Sequence, residues 1–358
     1  MKRWILLCVT VLLTALSLSG CAPELYERIL ISAIGIDCTN VGYRVTVRAA
    51  KAQEDGAETT LTGEGRTVPE ALNQLALSTG QEPLYSHNTL VVFGMDCAEN
   101  GLNGCVDFFI RHYDSRPTIK VFLSETTAED ILGQEGEAGK SAAQLADLSK
   151  SAQYSGLSVD ANLLDLVHGS LRSGVSASLP VLKAEDGANL NGTALLENFR
   201  LRGVLTPEET RGLLALQGKL KAGESVISDP EGGEISLTVH GTDCAIRFTG
   251  TTDAPRFDVS LKVKGDISSM GVQRLTNDAF PRIEHALAQQ ILENISAYLS
   301  AAVFENGCDA VGFGDVVRRD APEAWRAMDW QRQISESVFD LRVEAVVARV
   351  EEEDAPYL

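Results

Sequence analysis

The sequence predicts an α+β protein of several domains, with mixed or antiparallel sheets and helices. Its C-terminal domain is predicted to be one long helix packed on a four-stranded antiparallel sheet. Two observations lead to this fold class. In the first half of the chain, strand pairs of hairpin type are interspersed with helices, which favours α+β over a strictly alternating parallel sheet. In the last third, a one-sided apolar helix is flanked by segments in which apolar and polar residues alternate.

The amino terminus has the pattern of an export signal that ends in a lipid attachment site. Two basic residues at positions 2 and 3 precede a nearly continuous apolar run over 4–18, and Leu18-Ser19-Gly20-Cys21 follows. A charged start, a short apolar region and small residues before a cysteine are typical of a bacterial lipoprotein signal. We therefore predict a signal peptide over 1–20, S-diacylglyceryl and N-acyl groups on Cys21, and a lipid-anchored tether over 21–28. The alternative is a plain signal peptide in which the cysteine is incidental.

Composition and charge limit what can hold this protein at a membrane. The 358 residues are 44% hydrophobic and 23% charged, as in a globular chain that buries a real core. The formal net charge is −19, and it becomes more negative by two when the signal peptide, which carries two basic residues, is removed. A protein surface with this negative charge repels nucleic acid and anionic lipid headgroups. No second apolar run approaches the length of a spanning helix. Membrane attachment is therefore expected to depend on the lipid at Cys21.

Five cysteines remain after signal removal and lipidation, and this odd number excludes a fully paired disulfide framework. They are Cys38, Cys97, Cys105, Cys244 and Cys308. The absence of a CxxC pair argues against a zinc site. Cys97 and Cys105 flank a glycine-containing loop and could form one local bridge. Buried free thiols are the default expectation for a chain of this length.

An N-terminal α+β domain is predicted over 29–185. Segments 29–36 and 43–49 form an antiparallel hairpin whose first strand is apolar enough to be buried on both faces. Further strands are predicted at 59–66, 88–94, 118–124 and 175–182. Helices are predicted at 68–78, at 100–112 and from Ala128, and an exposed loop over 134–141 leads into helices that end near His168.

A small middle domain over 186–232 and a C-terminal domain over 233–358 follow. In the middle domain, 195–203 is predicted as a hairpin edge, and Thr206 caps a helix in which Glu209 completes a capping box. In the C-terminal domain, strands are predicted at 235–239, 244–249, 256–263 and 339–350, with a turn at 240–243. The long helix is predicted over 277–306, because apolar residues recur every four positions.

No catalytic, cofactor-binding or metal-binding residues are predicted. None of the five histidines stands in the HExxH or HxH spacing of a metal site, and no serine lies in a GxSxG motif. The remaining motifs do not assemble a nucleophile, a base and an oxyanion site. Trp325 and Trp330, which precede the last strand, have two interpretations. In one interpretation they form an exposed surface for a partner. In the other, simpler interpretation they pack over the long helix.

Several segments, taken together and in order, resemble those of one family. The lipobox ends at Cys21, and Ile34-Gly35-Ile36-Asp37 follows in the first strand. The further segments are Glu70-Ala71-Leu72, Leu84-Tyr85-Ser86-His87, Asp107-Phe108-Phe109-Ile110-Arg111, Asn191-Gly192-Thr193-Ala194, Leu205 with Glu208-Glu209-Thr210-Arg211-Gly212-Leu213-Leu214, Gly312-Phe313-Gly314-Asp315, and Pro322 with Trp325. In this order they resemble the Ger(x)C-type spore germination lipoproteins, the C subunits of nutrient germinant receptors, over essentially the whole mature chain.

The resemblance implies three α+β domains, no catalytic activity and no cofactor. It also implies two integral membrane partners, the A-type and the permease-like B-type receptor subunits. The expected location is the extracytoplasmic face of the cell membrane, here the inner spore membrane of a Gram-positive spore former. The predicted function is a lipid-anchored, non-enzymatic receptor subunit required for receptor assembly and germination signalling. The alternative is an extracytoplasmic solute-binding lipoprotein that delivers a small nutrient to a membrane transporter, and an exported hydrolase is a third hypothesis.

Overall fold

Two sheets and their covering helices make up the part of the chain that the computed structural model describes, residues 3–4, 28–50, 58–112, 116–134, 139–221, 223–229, 233–269 and 278–348. The strands are β1 (Arg28–Thr39), β2 (Gly42–Ala50), β3 (Glu58–Gly65), β4 (Glu82–Leu84), β5 (Leu90–Phe93), β6 (Lys120–Ser124), β7 (Ala177–Ala184), β8 (Ala188–Glu197), β9 (Arg200–Leu205), β10 (Glu224–Asp229), β11 (Gly233–Phe248), β12 (Arg256–Ser269) and β13 (Val338–Val347). The helices are α1 (Val68–Thr79), α2 (Met95–Asn100), α3 (Asn103–Arg111), α4 (Ala128–Leu132), α5 (Ala142–Ser155), α6 (Leu163–Leu171), α7 (Pro207–Leu216), α8 (Phe280–Tyr298), α9 (Phe313–Asp320), α10 (Pro322–Ala327) and α11 (Trp330–Gln333).

The larger sheet is mixed and has β1 near its centre. Its nine strands run in the order β3-β2-β1-β5-β6-β7-β8-β9, and β4 also pairs with β1. The β1–β5–β6–β7 pairs are parallel, whereas β1–β2–β3 and β7–β8–β9 are antiparallel. The predicted first hairpin is confirmed, with Ile36 opposite Val45. Helices α1, α2, α3 and α6 cover one face of the sheet and α4 and α5 cover the other, which explains why β1 is mostly apolar over Ile29–Ile36.

The helix predicted over 68–78 is confirmed as α1, but the one predicted over 100–112 is wrong in its extent. The Thr67 side chain caps α1, and Gly80 ends it in the left-handed conformation at φ 70°. The predicted helix is present as α3, which begins at Asn103 rather than at 100, and a separate helix, α2, ends just before it because Gly101 adopts φ 111° and interrupts helical geometry.

The smaller sheet corrects two predictions for the C-terminal domain. Its order is β10-β11-β12-β13, and β13 runs parallel to β12, so the sheet is mixed and not antiparallel throughout. The chain between β12 and β13 includes α8, and a connection of that length permits a parallel return. The predicted turn at 240–243 is also wrong: β11 continues through it, and the register shifts between Val239 and Gly241 as in a β-bulge.

The long helix lies where its apolar pattern predicts. It begins at Phe280, and its last turns form a π-helix over Leu299–Glu305 before Gly307 ends it at φ 61°. The positions Ile283, Leu287, Ile291 and Ile295 are all buried with residues of the smaller sheet in one core. Position 277, where the helix was predicted to begin, lies outside the described residues.

The segment predicted as a middle domain over 186–232 has no sheet of its own among its described residues. Strands β8 and β9 extend the larger sheet, β10 belongs to the smaller sheet, and α7 packs against α8. This segment therefore connects the two sheets. The division of the chain at 29–185, 186–232 and 233–358 stays a prediction.

A glycine permits the close crossing of α7 and α8. A Cβ atom at Gly212 would overlap the main-chain carbonyl of Asn294 and press on Tyr298. We expect Gly212→Ala to lower the free energy of unfolding by about 1–3 kcal/mol through overpacking, although alanine is the better helix former. Urea denaturation measures this change. Gly241→Ala is the matched control, because no atom lies within 4 Å of its would-be Cβ; equal losses at both positions would contradict the crossing argument.

Candidate functional site

The structure describes the other motif positions but not the predicted lipid site. Cys21 lies outside the described residues, so its lipidation stays a prediction. No helix within the described ranges has the length and apolarity needed to cross a bilayer. The motif residues that the structure does place form a buried node at β1, a junction between the two sheets, and one wall of an open groove.

The buried node is formed by Asp37 near the end of β1. Its carboxylate accepts the main-chain N–H groups of Ala128 at 2.6 Å and Glu129 at 3.1 Å, at the start of α4. Burial raises the pKa of Asp37 above its ordinary value, while the two N–H bonds act in the opposite direction. A Cβ at Gly94 would overlap the Asp37 carboxylate, so this glycine leaves room for it. Asp37 thus fixes α4 on the sheet.

A second buried carboxylate belongs to Asp309. This residue lies in a region that we call the junction, in which residues 172–176 pack against residues 309–330. Only 3% of Asp309 is exposed, and its carboxylate accepts the N–H groups of Gly312 (2.7 Å), Phe313 (2.9 Å) and Gly314 (2.7 Å) at the start of α9. Burial raises the pKa of Asp309 to about 6 despite these three bonds. The Gly312-Phe313-Gly314 motif therefore supplies the main-chain donors for this carboxylate.

The main chain of Asp309 ties the two sheets together. The Ser176 N–H donates to the Asp309 carbonyl oxygen at 2.8 Å, and the Asp309 N–H donates to the Ser176 hydroxyl at 2.9 Å. Ser176 lies immediately before β7 of the larger sheet, and its hydroxyl also donates to Glu197 in β8 at 2.8 Å. The junction is therefore hydrogen-bonded from both sides.

The two tryptophans belong to the junction core. Trp330 is 7% exposed, and the Trp325 ring lies against Gly174, where a Cβ would overlap it. The Arg318 guanidinium stacks 4.7 Å from the centre of the Trp325 ring and also donates to the Ser173 carbonyl. Both tryptophans are therefore packed and do not form an exposed partner surface, but the contacts that hold them are with the junction and with Phe257 rather than with the long helix.

A disulfide joins β1 to α2, and it is not the local bridge that the sequence left open. Cys38 pairs with Cys97 across 59 residues, with 5.0 Å between their Cα atoms. Cys105 is a buried free thiol, and the sulfur atoms of all three cysteines lie within 4.8 Å of one another. Burial raises the pKa of Cys105 to about 12, which keeps it protonated.

An open groove of about 750 Å³ lies between α1 and α3 on the larger sheet. Tyr43 and Pro69 line it together with Phe108 and Arg111 of the Asp107–Arg111 motif. Gly104 is needed there because a Cβ would overlap the Tyr43 hydroxyl. At one end of this groove Tyr85, Phe108 and His112 form an aromatic cluster, with ring centres 5.0–5.5 Å apart.

These features define a two-sheet α+β protein whose motif residues fix elements to one another and line a surface groove. Two family models match the chain in order. The model described as spore germination protein N-terminal domain covers residues 22–184, and the model described as spore germination B3/GerAC like, C-terminal, covers residues 191–351. The chain belongs to this GerAC-like spore germination family, as the resemblance predicted.

Curated relatives agree with that assignment, and one solved structure has a similar fold. The spore germination protein KC of Bacillus subtilis (strain 168) is 25% identical over 98% of this chain and 96% of its own length. The putative spore germination protein YfkR of the same organism is 23% identical over 82% of this chain and 83% of its own length. The crystal structure of the GerBC protein matches with a TM-score of 0.62 at 19% identity, covering 88% of this chain and 97% of that one. This last match confirms the α+β fold class.

Proposed function

We propose that this protein is the lipid-anchored, non-enzymatic C subunit of a spore nutrient germinant receptor, required for receptor assembly and germination signalling. The observation that carries the proposal is the ordered match of both GerAC-like models over 22–184 and 191–351. The lipobox that ends at Cys21 adds a route to the extracytoplasmic face of the inner spore membrane. Its partners would be the A-type and the permease-like B-type integral membrane subunits.

The proposed mechanism is scaffolding at a surface. A lipid on Cys21 confines the body to a thin layer at the membrane, which raises its effective concentration near integral membrane partners without any new contact. The net charge of −19 on the whole chain works against adhesion to anionic lipid, so the anchor would supply the attachment. Two or more acyl chains are needed for stable retention.

We expect Cys21→Ser to release the protein from the membrane and to abolish germination of the same spores. The reason is that serine has no sulfur atom to which the diacylglyceryl group can be attached. Membrane fractionation, germination assays and affinity purification from solubilised membranes are read together. The tagged wild type should bring down one multi-span subunit and one permease-like subunit, and the variant should bring down neither.

Cys244→Ser is the matched control, because Cys244 is a half-buried free thiol in the body and should leave retention and germination unchanged. Full germination by a released Cys21→Ser protein would contradict the tether's role. Recovery of the wild type alone, with a nutrient bound saturably to its body, would instead support the solute-binding alternative.

A further inference from the structure

We propose that the end of the larger sheet at which β1 begins faces the lipid bilayer, and that the exposed side chains of Leu77 and Ile110 at this end contact its interfacial region. This inference rests on the proposed lipid anchor at Cys21. It adds to that proposal an orientation of the body and a lipid-contacting surface.

The length of the tether limits where β1 can begin. Seven residue steps separate Cys21 from Arg28, the first residue of β1. A fully extended chain spans at most about 3.6 Å per residue, so the Cα atom of Arg28 lies within about 25 Å of the Cα atom of the lipidated Cys21. The 12 residues of β1 are themselves about 36 Å long at about 3.3 Å per step. The two ends of β1 are therefore not equivalent with respect to the membrane.

Leu77 lies at the end where β1 begins. Its helix, α1, leads through Gly80 directly into β4, and β4 pairs in parallel with the first residues of β1, Arg28 opposite Glu82. Leu77 is in the last turns of α1 and is 78% exposed. Such exposure of a leucine next to the anchored strand end would be relieved by contact with the apolar part of a bilayer interface.

Ile110 lies at the same end, on α3. Tyr85 follows β4 immediately, and its ring centre is 5.0 Å from that of His112 and 5.5 Å from that of Phe108. This contact places the last turn of α3 beside the start of β1. Ile110 is in that turn and is 56% exposed. Two large aliphatic side chains from different helices therefore project at one end of the sheet.

The net negative charge of the whole chain opposes its approach to an anionic bilayer, but the acidic residues of β4 and α3 are paired with basic residues. Glu82 pairs with Arg28 at 3.7 Å, and Asp107 pairs with Arg111 at 2.8 Å. Paired charges contribute little field beyond a Debye length. The net negative charge of the protein is thus not concentrated on β4 or on the end of α3, and this end is the part that the short tether keeps near lipid.

Val41 offers a matched control for this orientation. It is 81% exposed, so it is as accessible as Leu77, but it lies in the turn between β1 and β2 at the far end of β1. The experiment places a benzophenone amino acid at position 77, 110 or 41 of the lipidated full-length protein. Each protein is reconstituted on phosphatidylethanolamine–phosphatidylglycerol vesicles, irradiated, and analysed for lipid adducts by mass spectrometry.

We expect lipid adducts at positions 77 and 110 several-fold above those at position 41. Equal yields at the three positions, or a higher yield at 41, on protein that floats with the vesicles would overturn the orientation while leaving the anchor in place. Protein that does not float with the vesicles would overturn the anchor and this inference together. Irradiation in native membranes that links 77 and 110 to a protein rather than to lipid would overturn lipid contact and assign the surface to a partner subunit.

Discussion

Asp309→Ala is expected to lower the free energy of unfolding by about 3–5 kcal/mol. The substitution removes the shared acceptor of three main-chain N–H groups at a position that is 3% exposed, and each buried donor left without a partner costs about 1–3 kcal/mol. Trp325 and Trp330 lie in the same junction, so their fluorescence reports its loss directly. Urea denaturation of the mature chain, followed by fluorescence and circular dichroism, measures the change.

The control for this prediction is Asp147→Ala on α5. Asp147 pairs with Lys150 at 2.6 Å, but its side chain is 63% exposed, and exposed pairs of this kind contribute little to stability. If both variants unfold at the urea concentration of the wild type, Asp309 does not hold the junction together.

The raised pKa of Asp309 predicts that its contribution to the free energy of unfolding falls as pH rises. Because its folded pKa of about 6 lies above the ordinary value of 3.8, the folded protein keeps a proton that the unfolded chain has released across this interval. The contribution of Asp309 to stability is therefore greatest below the lower value and falls as pH rises through the higher one. Asp309→Asn does not titrate, so the difference in unfolding free energy between wild type and Asn variant should shrink from pH 4 to pH 7. A constant difference would contradict the raised pKa.

Local periodicity was sufficient to locate most elements but not to set their directions. The apolar residues of α8 recur every four positions, and that spacing by itself defines a buried helical face. By contrast, the alternation in β13 reads the same in either direction along the strand. Whether β13 is parallel or antiparallel to β12 depends on the path of the intervening chain, and no local pattern in the sequence specifies that path.

The junction and the node were missed because their partners are far apart in the sequence. Asp37 contacts residues 91 and 92 positions away, and Ser176 contacts Asp309 across 133 positions. One local signal was present: an acidic residue three positions before Gly312-Phe313-Gly314 at a helix start is suited to accept the free N–H groups of that start.

The structure gives these resemblance motifs a physical reason. Asp37 positions α4, Gly212 allows α7 and α8 to cross, and Gly312 and Gly314 donate to Asp309. All of these residues hold elements of one sheet or of both sheets in place. The Asp107–Arg111 motif differs, because it lines an open groove and carries the exposed Ile110. This makes it the motif with the clearest route to a contact outside the chain.

Loss of the Cys38–Cys97 disulfide is expected to lower the free energy of unfolding by about 4 kcal/mol. In the chain-entropy description, a bridge across 59 residues restricts the unfolded chain by roughly that amount. The variant should carry Cys38→Ser and Cys97→Ser together, because a single replacement leaves a thiol beside Cys105 that can re-pair. Thermal and urea denaturation of the variant and the wild type, each with and without dithiothreitol, measure the effect.

Reduction with dithiothreitol breaks the bridge but leaves both sulfur atoms in the protein, so it measures the effect of the bridge apart from the packing of those atoms. Reduced wild type should approach the stability of the double variant, since both lack the constraint on the unfolded chain. Cys244→Ser, which removes a free thiol in β11 and keeps the bridge, should have the stability of the wild type in each redox state. A wild type whose denaturation midpoint is the same in both redox states, after mass spectrometry has verified reduction, would show that the bridge between β1 and α2 contributes nothing. The covering of the sheet by α2 would then depend on the buried apolar contacts of that helix alone.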